Sequence, residues 1–184
     1  MQAKRRTSLN LAARKRIALI AFSIFLLDDL SKIAAIRYLP DHSIRVIGSL
    51  LKLNLQFNSG AAFSIATSRT IWLSSFAWIA VAGVLFFGRK VTDGRWAAAL
   101  GFVLGGILGN LSDRIFRPPG GLRGQVVDWI ELPHWPTFNL ADTSIVIAAI
   151  LMVYLSARNI KPVAPDEPTS QAPSDRYPTT GSGK

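Results

Sequence analysis

The sequence predicts a mainly α-helical membrane protein with four transmembrane helices and a small extracytoplasmic β-strand region. Three observations lead there. Hydrophobic residues make up 49% of the 184 residues, and the mean hydropathy is +0.29. The apolar residues gather into four runs, 17–39, 71–87, 96–111 and 140–157, each near the roughly 17–25 residues that cross a bilayer. Between the first two, Leu51-Lys52-Leu53-Asn54-Leu55-Gln56-Phe57 alternates apolar and polar residues without a miss, the pattern of a strand with one buried face.

Charge placement sets the orientation. The net charge is +10, but the cations are not spread as a nucleic-acid surface needs, and no nucleic-acid partner is expected. Lys4, Arg5, Arg6, Arg14, Lys15 and Arg16 precede the first run, Arg89, Lys90 and Arg95 fill the second connection, and Arg158 and Lys161 follow the fourth. Lysine and arginine favour the cytoplasmic side, so both termini are predicted cytoplasmic. The absence of cysteine excludes disulfides, thiolate metal sites and a cysteine nucleophile. His42 and His134 stand alone, without ligand spacing, and no metal is expected.

Residues 1–16 read as a basic, mobile cytoplasmic arm that holds orientation on anionic headgroups. In the first run Asp28 and Lys32 are four apart, on one helix face, with the acid N-terminal as an ion pair prefers. Asp28 lies roughly 16 Å beyond Ile17 along a helix, in the outer half of the span, where a charge must face protein or water. The expected role of the pair is to fix helix packing. Residues 40–48 break the helix. The alternating strand that follows has two possible uses, resting its apolar face on lipid or pairing its edge with an extended peptide.

Asn58-Ser59-Gly60-Ala61-Ala62-Phe63-Ser64 comes next. It is either an ordinary turn or a place where Asn58 bonds a peptide backbone, Gly60 permits close approach and Phe63 lines a groove. The second apolar run has packing as its only evident role. The third carries Gly101, Gly105 and Gly109 at a spacing of four, which lets helices pack closely in lipid. At its end Asn110, Asp113 and Arg114 offer a donor, an anion and a cation on one face, unless Arg114 only snorkels to headgroups.

Pro118-Pro119-Gly120-Gly121 then opens a loop. Val126-Val127-Asp128-Trp129-Ile130 places an acid inside an apolar run; the acid is either on the exposed side of a short strand or desolvated, with a raised pKa. Asn139-Leu140-Ala141-Asp142 opens the fourth helix. Asn139 suits an N-cap and Asp142 the N3 position, so a capping box and a catalytic role are both open. From Lys161 the chain is polar, with Pro162, Pro165, Pro168, Pro173 and Pro178, and reads as a disordered tail.

With the termini inside, Asp28, Asn58, Asn110, Asp113, Arg114, Asp128, Asn139 and Asp142 all fall on the outer half. Those residues carry a resemblance. D-D-L-S-K at 28–32, N-S-G-A-A-F-S at 58–64, G-G-I-L-G-N-L-S-D-R at 105–114, V-V-D-W at 126–129 and F-N-L-A-D-T at 138–143 together resemble the bacterial lipoprotein signal peptidases (signal peptidase II), aspartic proteases of the cytoplasmic membrane. Two positions depart from the family pattern: Asp29 stands where it usually has Gln, and Trp129 where it usually has Phe.

The resemblance implies a protease domain over residues 17–160, between the arm at 1–16 and the tail at 161–184. It implies Asp128 and Asp142 as catalytic residues. It further implies Asn58, Gly60, Asn110, Arg114 and Asn139 as substrate-binding residues, with Asp28, Lys32 and Asp113 in support. The substrate would be a diacylglyceryl-modified prolipoprotein cut before its lipidated cysteine, by a monomer among membrane lipids with no cofactor. Two other classes compete: a small proton-coupled carrier using Asp28, Asp113 and Asp142 as a relay, and a non-catalytic membrane assembly protein whose acids only cap helices and pair with arginine.

Overall fold

The computed structural model describes residues 2–40, 42–60 and 68–164. The elements run α1 (Gln2–Tyr38), β1 (Ile44–Ile47), β2 (Leu51–Asn58), α2 (Ser68–Gly88), α3 (Gly94–Phe116), β3 (Val126–Glu131) and α4 (Leu140–Ala157). Among the described residues three helical stretches, Thr70–Gly88, Gly94–Phe116 and Leu140–Ala157, are long and apolar enough to cross a membrane. The fourth helix, α1, misses that description because Asp28, Asp29 and Lys32 interrupt it. The fold is that of a mainly helical membrane protein with a small three-stranded sheet.

α3 is the central helix, packed by α1, α2 and α4. Its glycines explain how the neighbours come so close. A Cβ on Gly101 or Gly105 would sit 2.8 Å from Ile20 Cβ or 2.7 Å from Ala21 O, so α1 rests directly on the α3 backbone. Gly106 faces the other way, against Ala141 and Ser144 of α4, and the Ser144 hydroxyl donates to Phe102 O at 3.1 Å. The outward faces are apolar, with Leu19, Phe22, Trp72, Phe76, Ile79, Ile150 and Val153 exposed, as a lipid-facing surface requires.

The sheet has the order β1-β2-β3 with both pairs antiparallel. Gln56 stands opposite Asp128 and Asn58 opposite Val126. The alternation in β2 does not produce one buried face: residues Leu51–Leu55 are half-buried whichever way they point, and Gln56–Asn58 are exposed. Two strands flank β2, so its pairing is fixed through the backbone rather than by a core beneath it. β3 is different, with Val126, Val127 and Asp128 all buried. Beyond Glu131 the chain turns back, and Phe138 pairs with Ile130 through N–H donations of 2.8 and 3.0 Å. That return sets Asn139, at the start of α4, beside Asp128.

Both ends of the domain carry regular contacts. The basic residues 2–16 belong to α1, which is one continuous helix from Gln2; their alanines, leucines and long cationic side chains are good helix formers. The tail does not leave the domain at Lys161. Pro162 O accepts the Thr92 N–H at 2.9 Å, the Ala164 N–H donates to Thr92 Oγ1 at 2.8 Å, and Ile160 O accepts Trp96 Nε1 at 2.7 Å. Residues 165–184 lie outside the described residues, as do Ala61, Ala62, Phe63 and Ser64 of the 58–64 motif.

Candidate active site

The polar residues gather at one end of the bundle, where α3 finishes, α4 begins and β3 packs against α1. The deepest layer is ionic. Lys32 Nζ lies 2.6 Å from Asp28 and 2.8 Å from Asp113, and all three side chains are essentially without solvent exposure. Asp113 also pairs with Arg117, one turn further along α3. Two carboxylates and two cations make this layer neutral, which is how buried charges are tolerated.

Each charge in that layer holds an element in place. Asp28 Oδ1 accepts the Ala141 N–H at 2.9 Å, so an acid on α1 satisfies a free amide in the first turn of α4, where the helix dipole favours an anion. Asp113 Oδ2 accepts the Val127 N–H at 3.2 Å, which anchors β3 one residue before Asp128. A Cβ on Gly109 would come within 2.5 Å of Asp28 Oδ2, so only glycine leaves room for that carboxylate.

Above the ions lies a layer of asparagine amides. Asn110 Oδ1 accepts from Lys32 Nζ at 3.1 Å and from Asn139 Nδ2 at 3.0 Å. An oxygen must face the ammonium, so the Asn110 amide nitrogen faces the other way and donates to Asp142 Oδ1 at 2.8 Å. Asn139 Nδ2 donates to Asp128 Oδ1 at 2.6 Å, and Asn58 Nδ2 donates to Asp128 Oδ2 at 2.9 Å. The Gly60 N–H donates to Asn58 Oδ1 at 2.7 Å, fixing that amide in turn. Asn139 is the N-cap of α4 in a full capping box, with Asp142 N donating to Asn139 Oδ1 at 3.0 Å and Asn139 N to Asp142 Oδ2 at 3.3 Å.

Asp128 and Asp142 are therefore joined through Asn139, and neither is directly ion-paired among the described residues. Burial pushes the Asp128 carboxyl up to about 6; the Asn58 hydrogen bond works against this, and the charge of Asp142 adds to it. A carboxyl near neutrality beside a second carboxylate can exchange a proton at physiological pH. Among the described residues no three His, Asp or Glu side chains converge as a metal would need.

Arg114 makes no ion pair with Asp113 among the described residues, where Asp113 is taken by Lys32 and Arg117. Its guanidinium turns toward Gly124, whose carbonyl lies 3.5 Å from Nη1, and toward Gly60, where a Cβ would stand 3.3 Å from Nη2. Asp29 is half-buried and outside the Lys32 network, and the Trp129 Nε1 hydrogen is buried without a partner among the described residues. The residue that sequence reasoning missed is Arg117. Its signal was present, a cation four residues after Asp113 on one helix. The motif spacing also hid the work of Asn58, which bonds Asp128 directly.

The family model for signal peptidase (SPase) II matches residues 20–158. The lipoprotein signal peptidase of Mycobacterium leprae is 46% identical over 138 residues, 74% of this chain and 69% of that protein. The lipoprotein signal peptidase of Rhodococcus jostii is 43% identical over 150 residues, 81% of this chain and 76% of its own length. A bacterial membrane enzyme solved by the in meso method at 1.9 Å superposes with a TM-score of 0.69 at 26% identity, covering 78% of this chain and 93% of that one.

Proposed function

The chain belongs to the signal peptidase II family, and from that premise we propose that Asp128 and Asp142 are the catalytic pair with which it removes signal peptides from prolipoproteins. The observation that carries the assignment is the double hold of Asn139, whose amide donates to Asp128 while its carbonyl oxygen caps the helix turn bearing Asp142.

The reaction is amide hydrolysis without a covalent intermediate. One carboxylate of the pair is ionised and takes a proton from a water aimed at the scissile carbonyl carbon. The other is protonated, hydrogen-bonds the carbonyl oxygen, and gives its proton to the departing amine as the tetrahedral intermediate collapses. Asparagine amides suit this use, because they orient both carboxylates without the full positive charge that would lock both in the ionised form. The neutral layer beneath acts in the same direction. Its two cations are already matched by Asp28 and Asp113.

The substrate we assign is a diacylglyceryl-modified prolipoprotein, cut before the lipidated cysteine by a monomer. The membrane is the bacterial cytoplasmic membrane, with both termini inside and the pair near the outer leaflet. Cations in the first part of α1, among them Arg14, Lys15 and Arg16, and Arg89 and Lys90 between α2 and α3 support that orientation. Arg114, between Gly60 and Gly124, is placed to bond a backbone carbonyl of the bound peptide. A proton carrier would need acids spaced through the membrane; here Asp28, Asp113, Asp128 and Asp142 stand together at one end.

The test is cleavage of a diacylglyceryl prolipoprotein by the purified full chain in detergent, beside Asp128→Asn and Asp142→Asn proteins shown to be folded. Release of signal peptide by the unmodified chain alone supports the pair. Activity surviving in either folded variant removes that aspartate from the mechanism.

A further inference from the structure

The end of the bundle opposite the carboxylates holds a cleft of about 700 Å³ between the first half of α1 and the last turns of α2. Arg14, Lys15 and Arg89 line it, and all three are exposed. The same cleft is lined by the buried Ile17 and Leu104 and by Ala18 and Leu85, which are exposed. The order along the helices matters. On α1 the cations come about one turn before the apolar residues, and Arg89, just past the end of α2, comes four residues after Leu85. Both walls therefore carry a cationic layer on the side away from the carboxylates and an apolar layer deeper in the bundle.

None of the three cations has a carboxylate partner among the described residues. The acid nearest in the chain to Arg89, Asp93, is taken by Arg95 at 2.8 Å. An occupant must then bring its own negative charge and place an apolar body beneath it. Basic pockets between membrane helices recognise anionic lipid headgroups on these grounds.

We propose that this cleft binds one anionic phospholipid from the leaflet at that end of the bundle, its phosphate among Arg14, Lys15 and Arg89 and an acyl chain between α1 and α2. The site is separate from the carboxylates, and the proposal holds whichever reaction they perform. It differs from diffuse attraction of a basic surface to a membrane, because it needs the cleft as well as the charges.

The two requirements can be separated. The full chain in nonionic detergent is offered equal amounts of phosphatidylglycerol and phosphatidylcholine with identical acyl chains, and retained lipid is read by native mass spectrometry. One phosphatidylglycerol per chain should be kept with a preference of roughly tenfold or more. The combined Arg14→Gln, Lys15→Gln and Arg89→Gln variant should lose that preference. Ala18→Trp, which keeps every charge and fills the cleft, should lose the bound lipid too. A control lacking Arg37, Arg45 and Arg123, each changed to Gln, should keep it. Thermal unfolding identifies any variant that fails to fold, and either cleft variant that folds decides the matter. Equal retention of both lipids, undiminished phosphatidylglycerol on a folded cleft variant, or its displacement by glycerol phosphate at equal concentration would overturn the proposal.

Discussion

Asn139 Nδ2 donates to Asp128 Oδ1 at 2.6 Å while the same side chain caps the helix that carries Asp142. One asparagine thus serves as N-cap and as link between two carboxylates. The two roles respond differently to substitution. Asn139→Ser keeps an oxygen able to accept the Asp142 N–H but is too short to donate to Asp128. Asn139→Ala loses both contacts and should cost about 1 kcal/mol in the cap alone. Thermal unfolding should therefore rank serine close to the native chain and alanine below it, whereas prolipoprotein cleavage should fall at least tenfold in both. Cleavage by Asn139→Ser at the native rate would confine Asn139 to capping.

The environment of Asp128 sets a pH dependence. Its carboxyl is pushed up to about 6 by burial, held back by the Asn58 hydrogen bond and raised further by Asp142. A pair needing one proton loses activity as that proton leaves, so kcat/KM should decline as pH rises past about 6 to 7, with an apparent pKa belonging to the pair. Asn58→Leu removes a donor to the ionised form and should move this alkaline limb to higher pH. A limb that stays fixed would mean that another group controls it.

Stability follows with a definite sign. A carboxyl whose folded-state pKa lies above its ordinary value of 3.8 favours folding when protonated, and that contribution is lost as pH rises through about 6. Asp128→Asn cannot ionise. Its melting temperature should exceed that of the native chain at pH 8, and the gap should narrow as pH falls toward 4. A constant gap across that range would show that Asp128 does not ionise within it.

Lys32 is the ion on which the lower layer depends. Replacing it by methionine leaves Asp28 and Asp113 buried without the ammonium between them, a loss of about 3–5 kcal/mol by comparison with other broken buried pairs. Restoring charge balance should recover part of it, so Lys32→Met with Asp113→Asn should unfold at a higher temperature than Lys32→Met alone. Cleavage should stay low in both, since both lose the Lys32 ammonium that holds the Asn110 oxygen and so aims its amide nitrogen at Asp142.

The helices and most of the polar positions were legible in the sequence because a charge or an amide in an apolar run is conspicuous. What each one bonds was not. Asn58 meets Asp128 only through the β2–β3 register, 70 residues apart in the chain, and Asp28 reaches the first turn of α4 across 113 residues. No local spacing carries such information. The alternation in β2 misled for a related reason: it reports which side chains resemble one another, whereas burial depends on what packs over them. The helical start of α1 follows from the sequence, since residues 2–16 contain no helix breaker.

The glycines of α3 tie packing to the site and can be tested apart from its chemistry. On Gly105 a Cβ would lie 2.7 Å from both Ala21 O and Ile24 Cβ, and neither backbone nor a branched Cβ can swing aside. Gly105→Ala must push α1 away from α3, at a cost of roughly 1–3 kcal/mol for overpacking. The same displacement would draw Asp28 and Lys32 on α1 away from Ala141, Asn110 and Asp113, so cleavage should drop together with stability. Gly83 on α2 is the control, because a Cβ there meets nothing within 4 Å. Gly83→Ala should be neutral or slightly stabilising, gaining up to about 1 kcal/mol of helix propensity. If Gly105→Ala unfolds and cleaves as Gly83→Ala does, the α1–α3 contact is not what holds the ionic layer under the asparagines.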